Sequence, residues 1–383
     1  MTIPALIFIS LFAALYGGTS FFIGKRLYQG LVALFPQLNL VVFAVVFALV
    51  ASSLFVGIMP VPVPLRRLAF RVSTHWIGFY VYLLLLFLFA DAVMLLGRML
   101  SVVPHPLPQM IRFYATLAVV FATALLVLYG RYNAGRIRHA HYEIQTKTAA
   151  FPDGIKIALI SDLHLGAAYS EKKLARIVQG INEVRPDIVC IAGDIFNDDV
   201  DLIRDPAGAA NLFRSINATY GVYACLGNHD GGSDFEKMLC FLEESAITVL
   251  KDDHAVIDGR LVLIGRLDPS PIGGFGGLKR KGIADVLASI AAKDAGLPIV
   301  VMDHNPAAIN EYGSNVDVIL SGHTHGGQIF PANLLTRAVF TVHYGHYQKG
   351  PGSPHVVVTS GISTWGMPMR IGSANEIAGI TLR

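Results

Sequence analysis

Residues 3–23, 38–59, 76–96 and 113–130 contain a single charged side chain, Asp91, and these four stretches constrain the fold more than any other feature of the chain. Each is close to the ~20 residues that cross a hydrocarbon core of about 30 Å. Cationic residues collect in the gaps, and no narrow apolar stripe marks a helix resting on a soluble core, so the sequence predicts four membrane spans within residues 1–136. A cleaved leader is not expected, because the first stretch has no basic start and three more apolar stretches follow it. With 53% hydrophobic and 15% charged residues and a mean hydropathy of +0.53, the chain is too apolar for a soluble domain and too polar for a membrane bundle alone. It reads as a hybrid.

The net charge of +3 offers no general field for nucleic acid, so the basic residues matter by position. Lys25, Arg26, Arg98 and Arg112 fall on one side of the predicted topology. Arg66, Arg67, Arg71, Arg131, Arg136 and Arg138 fall on the other, so the positive-inside bias places both termini and the second half of the chain in the cytoplasm. Asp91 lies inside the third stretch. Arg98, about two helical turns on, is its expected partner at the membrane edge. Three cysteines make no disulfide framework; Cys190 and Cys225 in apolar runs and Cys240 in a helical pattern read as buried free thiols.

From about residue 137 to 383 the pattern becomes α/β. Runs at 157–160, 188–192, 222–226, 261–264, 299–302, 316–320 and 356–359 are short and rich in Val and Ile, as buried strands are. Between them Leu174, Ile177, Val178, Ile181 and Val184, and again Phe235, Met238, Leu239 and Leu242, recur at helical spacing. Five predicted strands run into groups able to bind metal: Asp162 and His164; Asp194; Asn228, His229 and Asp230; His304; His323 and His325. Ligands at the carboxyl ends of neighbouring strands converge on one crevice in α/β sheets. Gly193, Gly227 and Gly322 each precede a candidate ligand, which permits sharp turns and close backbone approach.

Imidazole mixed with carboxylate suits manganese, iron or zinc better than magnesium or calcium. Two such ions need a bridging carboxylate, and together they acidify a water and neutralise phosphoryl oxygens. The expected activity is hydrolysis of a phosphodiester, phosphomonoester or pyrophosphate bond by a metal-activated hydroxide.

The groups Asp162-x-His164, Gly193-Asp194, Gly227-Asn228-His229-Asp230, His304 and Gly322-His323-Thr324-His325 resemble the signature of the calcineurin-like metallophosphoesterases. The run 321–329 is similar to their membrane-associated, YkuE-like branch, whose C-terminal strands the segment from Ser360 through Arg370 to Leu382 also resembles. The resemblance implies a four-layer αββα sandwich over 137–383 and two divalent ions, manganese first, with iron or zinc as alternatives. It implies that Asp162, His164 and His325 hold one ion, Asn228, His304 and His323 the other, and that Asp194 bridges them. His229 is then left to protonate the leaving oxygen, with Asp230 orienting it. The acidic residue that many relatives place after the bridging aspartate is replaced by Asn197, with Asp198 and Asp199 beyond. Asp303, just before His304, is expected to accept a hydrogen bond behind the ligands.

The glycine-rich segment 269–282 ends in Lys279, Arg280 and Lys281, which are expected to meet an anionic substrate. A hydrolase tethered to membrane spans lies near lipid headgroups, so a lipid-linked or membrane-proximal phosphate is the expected substrate, a UDP-linked acylated sugar being one example from the resembled family. A transporter or scaffold with a non-catalytic domain would lack ligands, and none is missing. A nucleic-acid phosphodiesterase would show basic stripes with stacking aromatics, which are sparse here.

Overall fold

The computed structural model describes residues 3–57, 59, 61–104, 106–147, 153–167, 171–197 and 199–383. They divide into two compact units, Met1–Arg131 with Gly366–Pro368, and Tyr132–Trp365 with Met369–Arg383.

The first unit is built from α1 (Ile3–Leu34), α2 (Leu40–Gly57), α3 (Val63–Met99) and α4 (Gln109–Ala134). Among the described residues α2, α3 and α4 are long and apolar enough to cross a membrane. The predicted span 3–23 lies in α1, whose opening side chains fall partly outside the described residues. Ile23, Ala51, Trp76, Leu83, Phe87 and Val119 pack together inside, while Leu11, Val41, Leu49, Phe89 and Phe121 point outward. A bundle apolar outside as well as inside is what lipid selects. Buried polar handles are satisfied within it: Trp76 Nε1 donates to Tyr16 Oη, which donates to the Ala51 carbonyl, both at 2.8 Å.

Two expectations are corrected here. Arg66, Arg67 and Arg71, read as lying in a gap, belong to the first turns of the 37-residue α3. Pro64 is tolerated there because the first turn needs no N–H donor, and Arg and Leu carry the helix on. Asp91 pairs with Arg26 of α1 rather than with Arg98. Arg98 is on Asp91's own helix, whereas the neighbouring helix offers a guanidinium at the same level.

The second unit is a sandwich of two six-stranded sheets. The first has the order β1 (Ile137–Ile144), β12 (Asn375–Leu382), β2 (Ile155–Ile160), β3 (Ile188–Ala192), β4 (Val222–Cys225), β5 (Ile247–Val249). The second runs β10 (Gly345–Gln348), β11 (His355–Val358), β9 (Val318–Ser321), β8 (Ile299–Met302), β7 (Leu261–Gly265), β6 (Asp253–Ile257). Strands β2 to β5 are parallel, as are β7, β8, β9 and β11.

Period-2 alternation sends each central strand to two cores. Ile157 and Leu159 of β2, Cys190 of β3, Val300 and Met302 of β8 and Leu320 of β9 fill the space between the sheets. Ala158, Ile160, Val189 and Ile191 turn outward onto α5 (Glu171–Val184), α6 (Pro206–Arg214) and α7 (Phe235–Glu244). Val301 and Ile319 turn the other way, toward Val286 of the short α8 (Ile283–Ala288). This is the four-layer αββα arrangement. The second sheet also carries α9 (Ala332–Val339) in the stretch between β9 and β10. Cys190 and Cys225 are buried free thiols as expected, but Cys240 is exposed, because it falls on the outer side of α7.

Candidate metal centre

Parallel pairing aligns the carboxyl ends of β2, β3 and β4 in one sheet and of β8 and β9 in the other. All the predicted ligands leave from those five ends. Asp162 N donates to the Gly193 carbonyl at 3.0 Å, His164 N to the Asp194 carbonyl at 3.1 Å, and Gly322 N to the His304 carbonyl at 3.0 Å, so each loop is laced to its neighbour.

Two groups of side chains result. Ligand atoms of Asp162, His164 and His325 lie within 4.8 Å of one another, and those of Asp194, His304 and His323 do likewise. In the first, Asp162 Oδ1 is 3.3 Å from His325 Nε2, and the Nε2 atoms of His164 and His325 face each other at 3.2 Å with their rings stacked. In the second, His304 Nε2 is 3.3 Å from His323 Nδ1, which is 3.0 Å from Asn228 Oδ1. Asp194 stands between the groups, its Oδ2 3.2 Å from His304 Nε2 and 3.8 Å from His164 Nε2.

The donor set fits a pair of divalent cations. Asp162 Oδ1 is buried and has no hydrogen-bond partner among the described residues. An isolated carboxylate oxygen buried among imidazoles carries a large desolvation cost unless a cation meets it. Its other oxygen is satisfied by Ser161 Oγ and by the His323 backbone N–H. Burial pushes the His164 imidazole down to about 3 and His323 to about 4, and lowers His325 as well, so these rings are neutral and able to ligate. Burial opposes charge on His304 too, but the Asp194 carboxylate overcomes it and holds His304 well above its ordinary value. His304 Nδ1 donates to the Ala192 carbonyl at 2.7 Å, which aims Nε2 at the centre.

The backbone is strained where the ligands sit. Asp162, His164, Asp194, His323 and His325 all have positive φ, between 48° and 68°. Non-glycine residues avoid that region, at a cost of about 1–3 kcal/mol each, and such residues gather at functional sites. The preceding glycines have the role expected of them: a Cβ on Gly193 would stand 2.7 Å from Gly227 N, and one on Gly322 2.2 Å from Ser161 Oγ.

Several predicted roles are corrected. Asp230 spends its carboxylate on the backbone rather than on the His229 ring: its Oδ1 accepts the N–H groups of Ile195 and Phe196 at 2.8 and 2.9 Å, and its Oδ2 that of Gly227 at 2.8 Å. It is a fully buried brace between the loops bearing Asp194 and Asn228. His229 is partly exposed at the rim, its ring 5.2 Å from that of His164, and its backbone N–H donates to Asp194 Oδ1 at 2.9 Å. Asp303 accepts as expected, but from Arg280 Nη2 at 2.8 Å and from Tyr312 Oη at 2.5 Å rather than from a ligand histidine. Arg280 is thereby paired with buried Asp303, and it also pairs with Glu311. Lys279 and Lys281 are both exposed, Lys281 with its backbone N–H donating to Asp252 Oδ2 and its Nζ 3.4 Å from the Asp252 carbonyl. A basic run gives no hint of which cations face inward acids, so the sequence could not separate them. Asn197 contacts the Leu165 carbonyl through its backbone, Asp199 precedes a 3-10 turn, and Asp198 lies outside the described residues.

Two participants went unread. Arg370, fully buried, donates to the carbonyls of His325 at 3.0 Å and Ser360 at 2.7 Å and so fixes the turn that presents His325. Trp365, half exposed, has its ring 6.0 Å from that of His229 and is clasped by Gln328 through both backbone groups. Neither lies in a patterned strand or helix, so periodicity gave no signal.

Residues 155–327 match the family profile described as calcineurin-like phosphoesterase. An uncharacterized metallophosphoesterase of Helicobacter pylori is 30% identical over 231 residues, covering 60% of this chain and 60% of that protein. A transmembrane protein with metallophosphoesterase domain from Danio rerio is 29% identical over 345 residues, 82% of this chain and 76% of its own. The uncharacterized metallophosphoesterase YkuE of Bacillus subtilis is 29% identical over 278 residues, 68% of this chain and 93% of its own.

Proposed function

We propose that this chain, whose residues 155–327 match the calcineurin-like phosphoesterase profile, is a membrane-anchored phosphoesterase, hydrolysing a phosphate ester or anhydride with two divalent cations. The observation that carries the reading is the position of Asp194 Oδ2, within 3.2 Å of one histidine group and 3.8 Å of the other. One carboxylate so placed would serve both cations, Asp162, His164 and His325 would complete the first set, and Asn228, His304 and His323 would complete the second.

When bound, such a pair supplies Lewis-acid neutralisation of phosphoryl charge and an acidified water, and manganese is the metal we favour. The protein's own part is positioning. His304 is aimed by the Ala192 carbonyl, His325 by Arg370, and the two loops around Asp194 by Asp230. His229 stands at the rim as the proton donor to the leaving oxygen, with Trp365 beside it as a wall.

The substrate class we favour is a phosphate borne by a lipid or held at the membrane surface. The three helices α2 to α4, each long and apolar enough to cross a membrane, support it, and two residues separate the end of α4 from β1. The balance of basic residues supports a cytoplasmic catalytic half. Exposed Cys240 tests that side: a membrane-impermeant thiol reagent should label it only after cells are permeabilised. The activity is tested by hydrolysis of a chromogenic phosphodiester with Mn²⁺, set against an Asp194→Asn variant and against chelator. Loss of turnover in both controls is expected, and equal rates in all three would end the proposal.

A further inference from the structure

The helical unit holds a cationic cleft at one end of the bundle, of about 220 Å³, walled by Lys25, Arg26 and Gln29 of α1, Arg98 of α3 and Arg112 of α4. Three helices separated in sequence thus bring four cations to one place. Among the described residues no acidic side chain lines it. Asp91 is the only carboxylate in residues 1–134, against eight lysines and arginines, and it is already committed to Arg26. The same arginine lies over the Phe22 ring at 5.5 Å, so its guanidinium is held in position before any ligand arrives. Four cations gathered around one carboxylate leave an uncompensated positive charge that repels itself unless an anion enters.

A second cavity adjoins the first and shares Arg26, Gln29, Leu107 and Arg112 with it. It holds about 40 Å³, and its remaining walls are mainly apolar, among them Phe87, Met94 and Ile111, with Thr116 and Asp91, the latter already paired with Arg26, as the polar ones. The larger cleft has the volume of about seven waters at ~30 Å³ each, enough for a phosphate with part of its hydration. A phosphate site opening onto apolar walls matches a lipid headgroup with the start of its chain better than it matches a free ion. Basic pockets between membrane helices recognise anionic headgroups in this way.

We propose that Lys25, Arg26, Arg98 and Arg112 form a binding site for a phosphate-bearing anionic lipid headgroup, remote in sequence from the metal centre. The inference rests on the reading of these helices as membrane-embedded. That reading has its own test, retention of the full chain in membranes washed with alkaline carbonate, so the two can fail separately.

The site is tested on the full chain in neutral detergent by the shift in melting temperature as phosphatidylglycerol, phosphatidylcholine or inorganic phosphate is added. Phosphatidylglycerol should raise the melting temperature, and phosphatidylcholine should not. An Arg98→Gln/Arg112→Gln variant should need at least about tenfold more phosphatidylglycerol for the same shift. Arg71→Gln, which removes a cation outside the cleft, should behave as the unaltered protein. A matching response to inorganic phosphate that is lost in the same variant would assign recognition to the phosphate alone, and a response to the lipid only would add the apolar walls. Lys25→Gln gives a second reading should the double variant start from a lower melting temperature. An equal response to phosphatidylcholine, or a shift that survives both cleft variants, overturns the proposal.

Discussion

Asp230 offers the sharpest test of how the centre is held. Replacement by Ala removes one carboxylate and strands three buried donors, the N–H groups of Ile195, Phe196 and Gly227, whose bonds are 2.8–2.9 Å long. A buried donor left without an acceptor costs about 1–3 kcal/mol. Part of this is returned, because burial pushes the Asp230 carboxyl up to about 7, so the native site already disfavours its charge. The net loss should be roughly 2–5 kcal/mol. In a unit of this size each kcal/mol lowers the melting temperature by about 2–4 °C, so a fall of about 4–20 °C is expected. The three donors flank Asp194 and Asn228, so looser loops should raise the Mn²⁺ concentration needed for half-maximal hydrolysis, and saturating metal should restore much of the rate. Thermal unfolding and a metal titration of phosphodiester hydrolysis read both effects. A variant that melts like the unaltered protein yet stays inactive at saturating metal would refute the bracing role and restore a direct role beside His229.

Three further outcomes follow from the same geometry. Gly193→Ala forces a Cβ to within 2.7 Å of Gly227 N and 2.8 Å of the His304 ring at a φ of +77°; strain and overpacking should cost about 2–4 kcal/mol and weaken metal binding, whereas full activity at low Mn²⁺ would contradict the crowding. Arg280→Ala leaves Asp303 buried without its cation, so a loss of about 2–4 kcal/mol with an unchanged KM is expected, and a raised KM at constant melting temperature would return Arg280 to the substrate. Protons should separate the two metal groups: His304, held well above its ordinary value, must shed a proton to ligate, so affinity there should rise about tenfold per pH unit up to its pKa. Asp162, pushed up to about 6 by burial, makes the first group weaken only as pH falls through that value, and calorimetric metal titrations in two buffers of different ionisation enthalpy at pH 7.5 would expose an error if both groups released equal protons.

What could be read from the sequence was what periodicity and clustering encode. The central strands β2, β3, β4, β8 and β9 are buried on both faces, so each appears as an apolar run, and each ends in the polar group it presents. Six of the candidate ligands gather in two side-chain groups at those strand ends, and Asn228 stands beside His323. The edges were harder. β1 alternates exposed His139, His141 and Glu143 with partly buried Ala140 and Tyr142 and buried Ile144 and has no apolar run, and the three-residue β5 is too short to show a period. β12 lies between β1 and β2, antiparallel to β2, a pairing between distant segments that no local pattern encodes. The roles of Asp230 and Arg280 failed for a different reason. A charge written beside a histidine or in a basic run looks the same whether it meets solvent, substrate or a buried backbone amide, and only the fold decides which.

The left-handed turns beneath Asp162, His164, Asp194, His323 and His325 also bear on how such a centre can decay. Asn and Gly tolerate that conformation, and Asn keeps the outline of Asp while discarding its charge, whereas Val, Ile or Thr would distort the loop itself. A descendant that abandoned the chemistry but stayed folded should therefore accumulate Asn and Gly at these five places. Branched side chains there would instead mark a sequence that no longer builds the crevice at all.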